Sequence, residues 1–281
     1  MSGTLFVVAT PIGNLEDLSP RARQTLDSVD LVAAEDTRHT GRLLSHFGLK
    51  VPLYAVHDHN EDAVVAKLIG ELAAGKSIAL VSDAGTPLIS DPGYRLVSAA
   101  HANAIRVVPI AGPCAATAAL SAAGLPTDRY CFEGFLPPKR IARRKRLAEL
   151  ASEPRTIVFF ESVHRVHDSL VDMSDLFGAT RGAFLGRELS KLHEQCVRAP
   201  LEELLRQLET GDIAGKGEFV IVVAGNQDEV TSGIDTRRLL HELAKHLPPK
   251  AAAGAAAAIT GEKRNALYQQ LLQLRSDDAD P

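Results

Sequence analysis

The first half of the chain alternates short apolar runs with longer amphipathic segments. The apolar runs lie at residues 5–9, 31–34, 78–81 and 106–109. Between them, apolar residues recur at helical spacing. This spacing predicts helices over residues 20–28, 37–46, 60–74, 92–102 and 114–123. Strands that alternate with helices in this way are typical of parallel βαβ units, so we expect an α/β fold.

A change of rhythm near residues 124–129 predicts a boundary between two domains. Beyond it, strands are expected at 130–135, 156–160, 182–187 and 218–224, with helices at 139–151, 163–177 and 201–210. Three shorter helices are predicted to follow, at 235–246, 250–259 and 262–274. We therefore expect an N-terminal parallel α/β domain over 1–126, a second α/β domain over 127–226 and a small helical unit over 227–281.

The composition fits a globular protein of a reducing compartment. Apolar residues make up 45% of the 281 positions, and no apolar run reaches the length of a membrane span. Cys114, Cys131 and Cys196 are odd in number and widely spaced, which predicts neither disulfides nor a metal site. The first residues lack a basic region, so we expect no signal peptide, no membrane contact and a cytoplasmic location.

One phosphate-binding motif is present in its letters but not in its context. The segment from Gly70 to Ser77 matches G-x-x-x-x-G-K-[ST]. A true P-loop follows a strand and opens a helix, whereas here a helix is predicted before the motif and a strand after it. We expect Gly75 to end the helix and Lys76 to lie near its negative end, with no role in ATP binding.

The segment VSDAGTPLISDPGY, residues 81–94, is the strongest candidate for a ligand loop. It leaves the carboxyl end of a predicted strand, where doubly wound folds bind ligands, and it is longer than a βα connection requires. Gly85 would let a ligand approach the backbone, and Asp83 offers a negative charge. We expect Asp91, which precedes a proline, to cap the next helix instead.

Three other loops of similar character follow predicted strands, at residues 10–14, 35–38 and 111–115. None of the four loops carries G-x-G-x-x-G, so a dinucleotide cofactor is not favoured. A short H-x-H motif at His57 and His59 lacks a third ligand at a recognisable spacing, and we expect no bound metal.

Taken together, the motifs resemble those of one enzyme family. ATPIGNLEDLSPRA, AAEDTRHTG, HDHNE, LVSDAGTPLISDPGY, GPCAA and FEGFLP look like the motifs of the tetrapyrrole-methylase-type (class III) S-adenosylmethionine methyltransferases, in order and in spacing. FFESVHR, GRELSKLHE, KGEFVIVV and KRNALY extend the likeness over nearly the whole chain. The chain is most similar to the ribosomal RNA small subunit methyltransferase I family, which methylates the ribose 2′-hydroxyl of a cytidine in small-subunit (16S) ribosomal RNA.

This resemblance implies a fold, a cofactor and partners. It implies a parallel first α/β domain and a mixed second one, with S-adenosylmethionine bound in the cleft between them. It also implies a homodimer that acts on ribosomal RNA or on the small ribosomal subunit. The cofactor contacts that it implies are Ser82, Asp83, Ala84, Gly85, Thr86, Pro113, Cys114, Ala115, Ala116, Phe160, Leu189, Gly217 and Glu218.

Methyl transfer from a sulfonium places two demands on such a site. The cationic cofactor must be held, which suits carboxylates such as Asp83, and the acceptor hydroxyl must be aligned, with a base if one exists. Our candidates for the catalytic role are Glu161, Glu188 and Lys191, with Asp36, His57 and His59 as further candidates for the base. Glu188 and Lys191 could equally form a surface ion pair near a strand end.

Because the net charge is −4, contact with RNA requires a local basic surface. Residues 139–146 supply six basic side chains in eight positions near the expected domain boundary, which favours phosphate contact over a solvated helix face. The RNA contacts that we expect are Arg140, Arg143, Arg144, Lys145, Arg146, Lys263 and Arg264. The last two belong to the helical unit, which could bind RNA or merely cover the second domain.

Two other functions remain open at this point. A methylase of a small tetrapyrrole-like substrate is the alternative among enzymes, and the basic run and the C-terminal helices speak against it. A non-catalytic RNA- or ribosome-binding factor is the alternative outside enzymes, and the intact loop from Asp83 to Pro87 speaks against it.

Overall fold

A parallel five-stranded sheet forms the first half of the protein. The computed structural model describes residues 2–56, 61–226 and 236–277. The strands of the first sheet are β1 (Thr4–Val8), β2 (Leu31–Ala34), β3 (Leu53–Ala55), β4 (Ile78–Val81) and β5 (Arg106–Ile110). They pair in the order β3-β2-β4-β1-β5, and every pairing is parallel. β4 is buried along its whole length, which explains its uninterrupted apolar sequence.

Five helices accompany these strands and confirm the predicted alternation. They are α1 (Pro20–Ser28), α2 (Thr37–His46), α3 (Glu61–Ala73), α4 (Tyr94–Ala102) and α5 (Ala115–Ala123), with a short 3-10 turn at Leu15–Asp17. The Ser19 hydroxyl caps α1 by accepting a hydrogen bond from the Ala22 backbone N–H at 3.1 Å. Asp36 caps α2 in the same way, through the Arg38 N–H at 2.8 Å.

The P-loop-like segment has the structural role predicted for it. α3 precedes the segment, β4 follows it, and Gly75 adopts a φ of 98° just beyond the helix. Lys76 pairs with Glu71 at 2.6 Å, at the negative end of the helix dipole. Because the helix comes first, its N-terminus cannot face a phosphate held by this segment.

The start of α4 differs from the prediction. The helix begins at Tyr94 after Gly93, which has a φ of 120°, and no side chain caps it. A Cβ on Gly93 would also lie 2.8 Å from the Leu80 side chain. The prediction that Asp91 caps this helix is therefore wrong, because the chain makes a further glycine turn after Asp91 before the helix begins.

The second sheet is mixed, as the resemblance implied. Its strands are β6 (Tyr130–Phe135), β7 (Thr156–Ser162), β8 (Gly182–Arg187), β9 (Gln195–Pro200) and β10 (Glu218–Val223), in the order β6-β7-β10-β8-β9. β6 and β7 are parallel, and the other pairings are antiparallel. The helices α6 (Arg140–Leu150), α7 (Val166–Phe177) and α8 (Leu201–Thr210) share one apolar core with this sheet, around Phe159 and Leu170.

The sequence patterns do not predict the strands β3 and β9. Both lie at an edge of their sheet, and neither is fully buried. β9 alternates half-buried and exposed positions along QCVRAP. An edge strand of this kind needs no apolar run, so hydrophobic periodicity gives little sign of it.

Helix α5 connects the two sheets. It was expected in the first domain, but it packs on β7, β8 and β10 of the second sheet. Its buried side chains are Ala116, Ala119, Leu120 and Ala123, and they meet Val158, Phe184, Val220 and Val222 of the sheet. Small residues let the helix lie close to the strands. The chain up to Gly225 thus forms one compact unit that contains both sheets, and the boundary at residue 126 stays a prediction.

The helical unit that begins at Asn226 has a small core of its own. Its helices are α9 (Thr236–His246), α10 (Pro249–Thr260) and α11 (Arg264–Asp277), in agreement with the three predicted helices. The buried residues among them are Leu240, Ala252, Ala253, Ala256, Leu267 and Leu271. In the described part of the chain, no helix has both the length and the apolar character that crossing a membrane requires.

Candidate active site

The predicted ligand loop is fixed to the end of β1 by a short backbone bridge. The Thr10 N–H donates to the Gly85 carbonyl at 2.9 Å, and the Gly85 N–H donates to the Thr10 carbonyl at 3.0 Å. The Thr10 hydroxyl also donates to the Ser82 carbonyl at 3.3 Å. Gly85 has a φ of 86°, and a Cβ there would lie 3.2 Å from the Ile12 side chain, so this turn requires glycine.

A cavity of about 380 Å³ opens where this loop meets the second sheet, and we call it the acidic cavity. Its size is that of a site for a small molecule or cofactor. The expected cofactor residues that line it are Asp83, Ala84, Gly85, Thr86, Cys114, Ala115, Phe160, Leu189 and Glu218. The structure thus brings together residues that are more than 130 positions apart in the sequence.

The other four expected cofactor residues lie behind this lining. The Pro113 carbonyl accepts a hydrogen bond from the Thr86 hydroxyl at 2.9 Å. Ser82 is buried beneath the loop, and Ala116 is buried between α5 and the second sheet. Gly217 lies against the Glu188 side chain. These four residues pack behind the residues that line the cavity. A direct contact between each of them and the cofactor stays a prediction.

Five carboxyl groups line the acidic cavity. They are Glu35, Asp83, Asp91, Glu161 and Glu218, and none of the described residues that line the cavity is Lys, Arg or His. Asp83 is fixed by the Asp36 backbone N–H, which donates to its carboxylate at 3.0 Å, while the Asp83 N–H donates to Glu35 at 3.4 Å. The cavity is therefore suited to a cationic ligand.

Asp91 is half-buried in the wall of this cavity. Burial, together with the charges of Glu35 and Asp83, raises the pKa of Asp91 to about 6, although a hydrogen bond with Ser82 opposes the shift. Asp91 was not predicted as a site residue from the sequence, because an Asp-Pro pair normally marks the start of a helix. Glu35 was missed as well, but it begins the strand-end loop 35–38, which is the signal that could have found it.

Glu161, a predicted catalytic residue, reaches the cavity wall but is engaged by three partners. Its side chain is 1% exposed and pairs with Arg165 at 2.8 Å. The Ser169 hydroxyl donates to its other oxygen at 2.7 Å, and the Ser162 N–H donates at 2.8 Å. Arg165 in turn donates to the Leu136 carbonyl at 2.9 Å. These contacts favour an anchoring role for Glu161 over that of a base.

Glu188 and Lys191 form the ion pair that the sequence left as an alternative. The Lys191 Nζ lies 2.8 Å from Glu188 and 2.9 Å from Glu218, and the Glu218 N–H donates to Glu188 at 2.9 Å. Burial by itself would raise the pKa of Glu188, but these hydrogen bonds hold it below its usual value. A Cβ on Gly217 would lie 2.5 Å from the Glu188 carboxyl, so glycine makes room for the pair.

Much of the basic run on α6 is neutralised by α7. The Arg143 side chain is 4% exposed, and its Nε donates to Asp172 at 2.8 Å. Arg144 binds both Asp172 and Asp175, at 2.7 and 2.9 Å, and Arg140 reaches Asp172 at 3.4 Å. A guanidinium buried in this way cannot reach a phosphate. The structure therefore corrects Arg143 from an RNA contact to a structural ion pair.

The other side chains that we expect to contact RNA differ in how exposed they are. Arg146 pairs with Glu133 at 2.7 Å, whereas Lys145 is exposed. Lys263 and Arg264 are exposed on the helical unit. RNA contact at these four positions stays a prediction.

None of the remaining candidates for a base is shown to line this cavity. His57 and His59 lie outside the residues that the structure describes. Asp36 does not line the acidic cavity and pairs with Arg38 at 2.9 Å, and hydrogen bonds from Arg38 hold its pKa far below the usual value. Among the residues that the structure describes, no cluster of His, Cys, Asp or Glu is arranged to hold a metal ion.

The fold and the acidic cavity together define the class of protein. A parallel sheet, a mixed sheet and a cavity at the carboxyl ends of the parallel strands are the features expected of a class III methyltransferase. Residues 4–205 match the family of Tetrapyrrole (Corrin/Porphyrin) Methylases, and residues 230–275 match the RsmI C-terminal HTH domain. The chain belongs to the tetrapyrrole methylase family and, within it, to the ribosomal RNA small subunit methyltransferase I family.

Two relatives that carry this second name show the extent of the match. The protein from Pseudomonas aeruginosa is 54% identical over 275 residues, which cover 97% of this chain and 98% of the relative. The protein from Escherichia coli O157:H7 is 52% identical over 272 residues, which cover 96% and 95%. The chain is a methyltransferase of the class that uses S-adenosylmethionine.

Solved structures of low sequence identity share the fold. The methyltransferase CobJ aligns with a TM-score of 0.59 at 18% identity, over 80% of this chain and 95% of its own. A diphthine synthase aligns with a TM-score of 0.59 at 16% identity, over 79% and 90%. A uroporphyrin-III C-methyl transferase from Thermus thermophilus, complexed with S-adenyl homocysteine, aligns with a TM-score of 0.54 at 18% identity, over 79% and 97%.

The buried ion pair between α6 and α7 predicts a large effect on stability. We expect Asp172→Ala to lower the free energy of unfolding by about 3–5 kcal/mol, because it leaves Arg143 buried without its closest partner. The exposed neighbour Asp175 serves as the control, and Asp175→Ala should cost less than about 1 kcal/mol. Urea unfolding measures both, and equal losses for the two variants would contradict the structural role of Arg143.

The raised pKa of Asp91 predicts a pH-dependent penalty on folding. Below about pH 4 the carboxyl is protonated in both the folded and the unfolded chain, so it has no effect. Between about pH 4 and pH 6 the unfolded chain loses the proton first, and the free energy of unfolding falls. We expect Asp91→Asn to be more stable than the wild type above pH 6 and equal to it near pH 4.

Urea unfolding at a series of pH values checks this expectation. Asp27→Asn, on the exposed side of α1, is the matched control and should show no such crossover. If the wild-type protein is more stable than Asp91→Asn at pH 8, then burial and the neighbouring charges do not destabilise the Asp91 carboxylate.

Proposed function

We propose that this protein methylates the ribose 2′-hydroxyl of a cytidine in small-subunit ribosomal RNA, with S-adenosylmethionine as the methyl donor. The observation that carries the proposal is the acidic cavity, which is built on the loop that the family resemblance assigns to the cofactor. The substrate is supported by relatives of about half-identical sequence, which are named as small-subunit ribosomal RNA methyltransferases over nearly their full length.

The acidic cavity suits S-adenosylmethionine in size and in chemistry. Its volume of about 380 Å³ lies within the range of small-ligand sites. Phe160 and Leu189 offer an apolar wall to the adenine ring, and Gly85 leaves the backbone open to close approach. Asp83 and Asp91 offer negative charge to the cationic groups of the cofactor. When bound there, S-adenosylmethionine supplies an activated methyl group on a positively charged sulfur.

The residues of the chain contribute binding and alignment. Asp83 anchors the cofactor because the Asp36 N–H fixes its carboxylate toward the cavity. Glu188 and Lys191 act as positioning residues, since they hold Glu218 at the rim of the cavity. The contribution to rate comes chiefly from holding donor and acceptor in line, which can amount to several powers of ten.

Six accessible basic residues complete the proposal as contacts to RNA phosphates. They are the exposed Arg140, Lys145, Lys263 and Arg264 and the half-buried Arg144 and Arg146. The three arginines among them that lie on α6 keep part of their charge paired with acids. We include in the proposal a homodimer, on the family resemblance, and a cytoplasmic location, on the three free cysteines.

Transfer of labelled methyl groups tests the function. The protein is incubated with methyl-labelled S-adenosylmethionine and either small subunits or free 16S RNA that lack the modification. We expect the label in 2′-O-methylcytidine after nuclease digestion. Label on a porphyrinoid and none on RNA would contradict the proposed substrate and restore the tetrapyrrole alternative.

The anchoring role of Asp83 gives a separate prediction. We expect Asp83→Asn to raise the Kd for S-adenosylmethionine at least about ten-fold, which corresponds to roughly 1.4 kcal/mol. Asp27→Asn removes the same charge from an exposed site on α1 and should leave the Kd unchanged. Isothermal calorimetry measures both values, and an unchanged Kd for Asp83→Asn would exclude this anchor.

A further inference from the structure

A second cavity, of about 430 Å³, lies beside the acidic cavity. It is formed by the loop 10–13, by one face of α2 and by two residues of the second half of the chain, and we call it the α2 cavity. The two cavities share the wall residues Ile12, Asp83, Ala84 and Glu218. Molecules bound in the two cavities would therefore meet across this shared wall.

Helix α2 gives the second cavity a basic wall. His39, Arg42, Leu43 and His46 all line the cavity. Their spacing of three, four and seven residues from His39 places them on one helix face. The Asp36 cap fixes where this helix begins, and the burial of Leu43 fixes its rotation. Both constraints direct the nitrogen-bearing side chains of the face toward the cavity.

The α2 cavity adds basic side chains to the two carboxylates, Asp83 and Glu218, that it shares with the acidic cavity. Lys191 lines it, although this lysine is already bound by Glu188 and Glu218. Arg42 is exposed, and its side chain makes no hydrogen bond or ion pair with any residue that the structure describes. A guanidinium with free donors beside two histidines suits a phosphate, which it can bind through two parallel hydrogen bonds.

Apolar side chains complete the lining of the α2 cavity. Pro11, Ile12, Leu15 and Leu43 contribute to it, next to the basic face of α2. An unstacked nucleotide offers the matching surfaces, namely an apolar base face, a ribose and a charged phosphate. The volume also lies within the range of small-ligand sites.

We propose that the α2 cavity receives the nucleotide that is methylated, with its ribose at the wall shared with the acidic cavity and an adjacent phosphate on Arg42. This inference rests on the proposed function and adds the place where RNA enters. In-line transfer requires the acceptor oxygen to face the methyl group directly, which only adjoining cavities allow. The basic run on α6 then serves as a more distant contact, since acids of α7 already engage much of its charge.

Charge reversal at Arg42 tests the proposal, with Lys50 as the matched control. Lys50 is exposed, lies four residues beyond the end of α2 and does not line the cavity. We expect Arg42→Glu to raise the Kd for small-subunit RNA at least about ten-fold and to lower methyl transfer in proportion, while the Kd for S-adenosylmethionine changes less than about two-fold. Lys50→Glu should stay within about two-fold of the wild type in all three measurements.

Two further variants separate phosphate contact from a change in folding. Arg42→Lys keeps the charge and should recover most of the RNA affinity. Arg42→Ala should reduce the slope of log K against log salt concentration by about one, as the loss of one phosphate contact requires. Free cytidine monophosphate is added as a competitor of RNA. It competes if the cavity binds a single nucleotide, and it does not compete if the cavity needs RNA.

The outcomes that overturn the proposal are distinct from those that overturn the function. If Arg42→Glu behaves like Lys50→Glu, the nucleotide does not bind at α2, although the methyltransferase activity stands. If Arg42→Glu weakens S-adenosylmethionine binding as much as RNA binding, α2 supports the cofactor loop instead. If the wild-type protein transfers no methyl group to RNA, the proposed function fails, and the nucleotide site fails with it.

Discussion

Three carboxyl groups, those of Glu35, Asp83 and Asp91, are gathered at the carboxyl end of a parallel sheet, where burial and the charges of the other two raise the pKa of Asp91. The fold holds them there with backbone hydrogen bonds, through the Thr10–Gly85 bridge and the Asp36 N–H. Such an arrangement is costly for the empty protein, and a cationic ligand relieves the cost. The same constraint therefore accounts for a destabilising feature of the fold and suits the site to the cationic cofactor that we propose.

The second sheet is needed to close this site. α5 leaves the end of β5 and packs on β7, β8 and β10, so the two sheets are locked together by the helix that begins beside the cavity. Phe160 and Leu189 then face the loop that contains Asp83. Beyond the rim, Lys191 and Glu218 connect the acidic cavity with the basic face of α2. The cavities that we propose for donor and acceptor thus adjoin, and the one beside α2 carries the basic side chains.

Sequence reasoning succeeds here where the signal is local. The loop 82–86 combines a strand end, a glycine and a carboxylate within a few residues, and the structure places it on the cavity. It fails where the outcome depends on distant partners. Arg143 belongs to a basic run, but its ion-pair partner Asp172 lies 29 residues further along the chain, on another helix. Asp91 has a capping signature, and only the fold shows that it faces Glu35 and Asp83.

The most direct test of the central account is the proton balance of cofactor binding. Calorimetric titrations with S-adenosylmethionine at pH 6, in buffers of different ionisation enthalpy, count the protons released. Because the pKa of Asp91 lies at about 6, a cation that ionises it should release up to about half a proton at pH 6 and almost none at pH 8. Asp91→Asn should abolish this release. Tight binding with a heat that does not depend on the buffer at pH 6 would contradict the account.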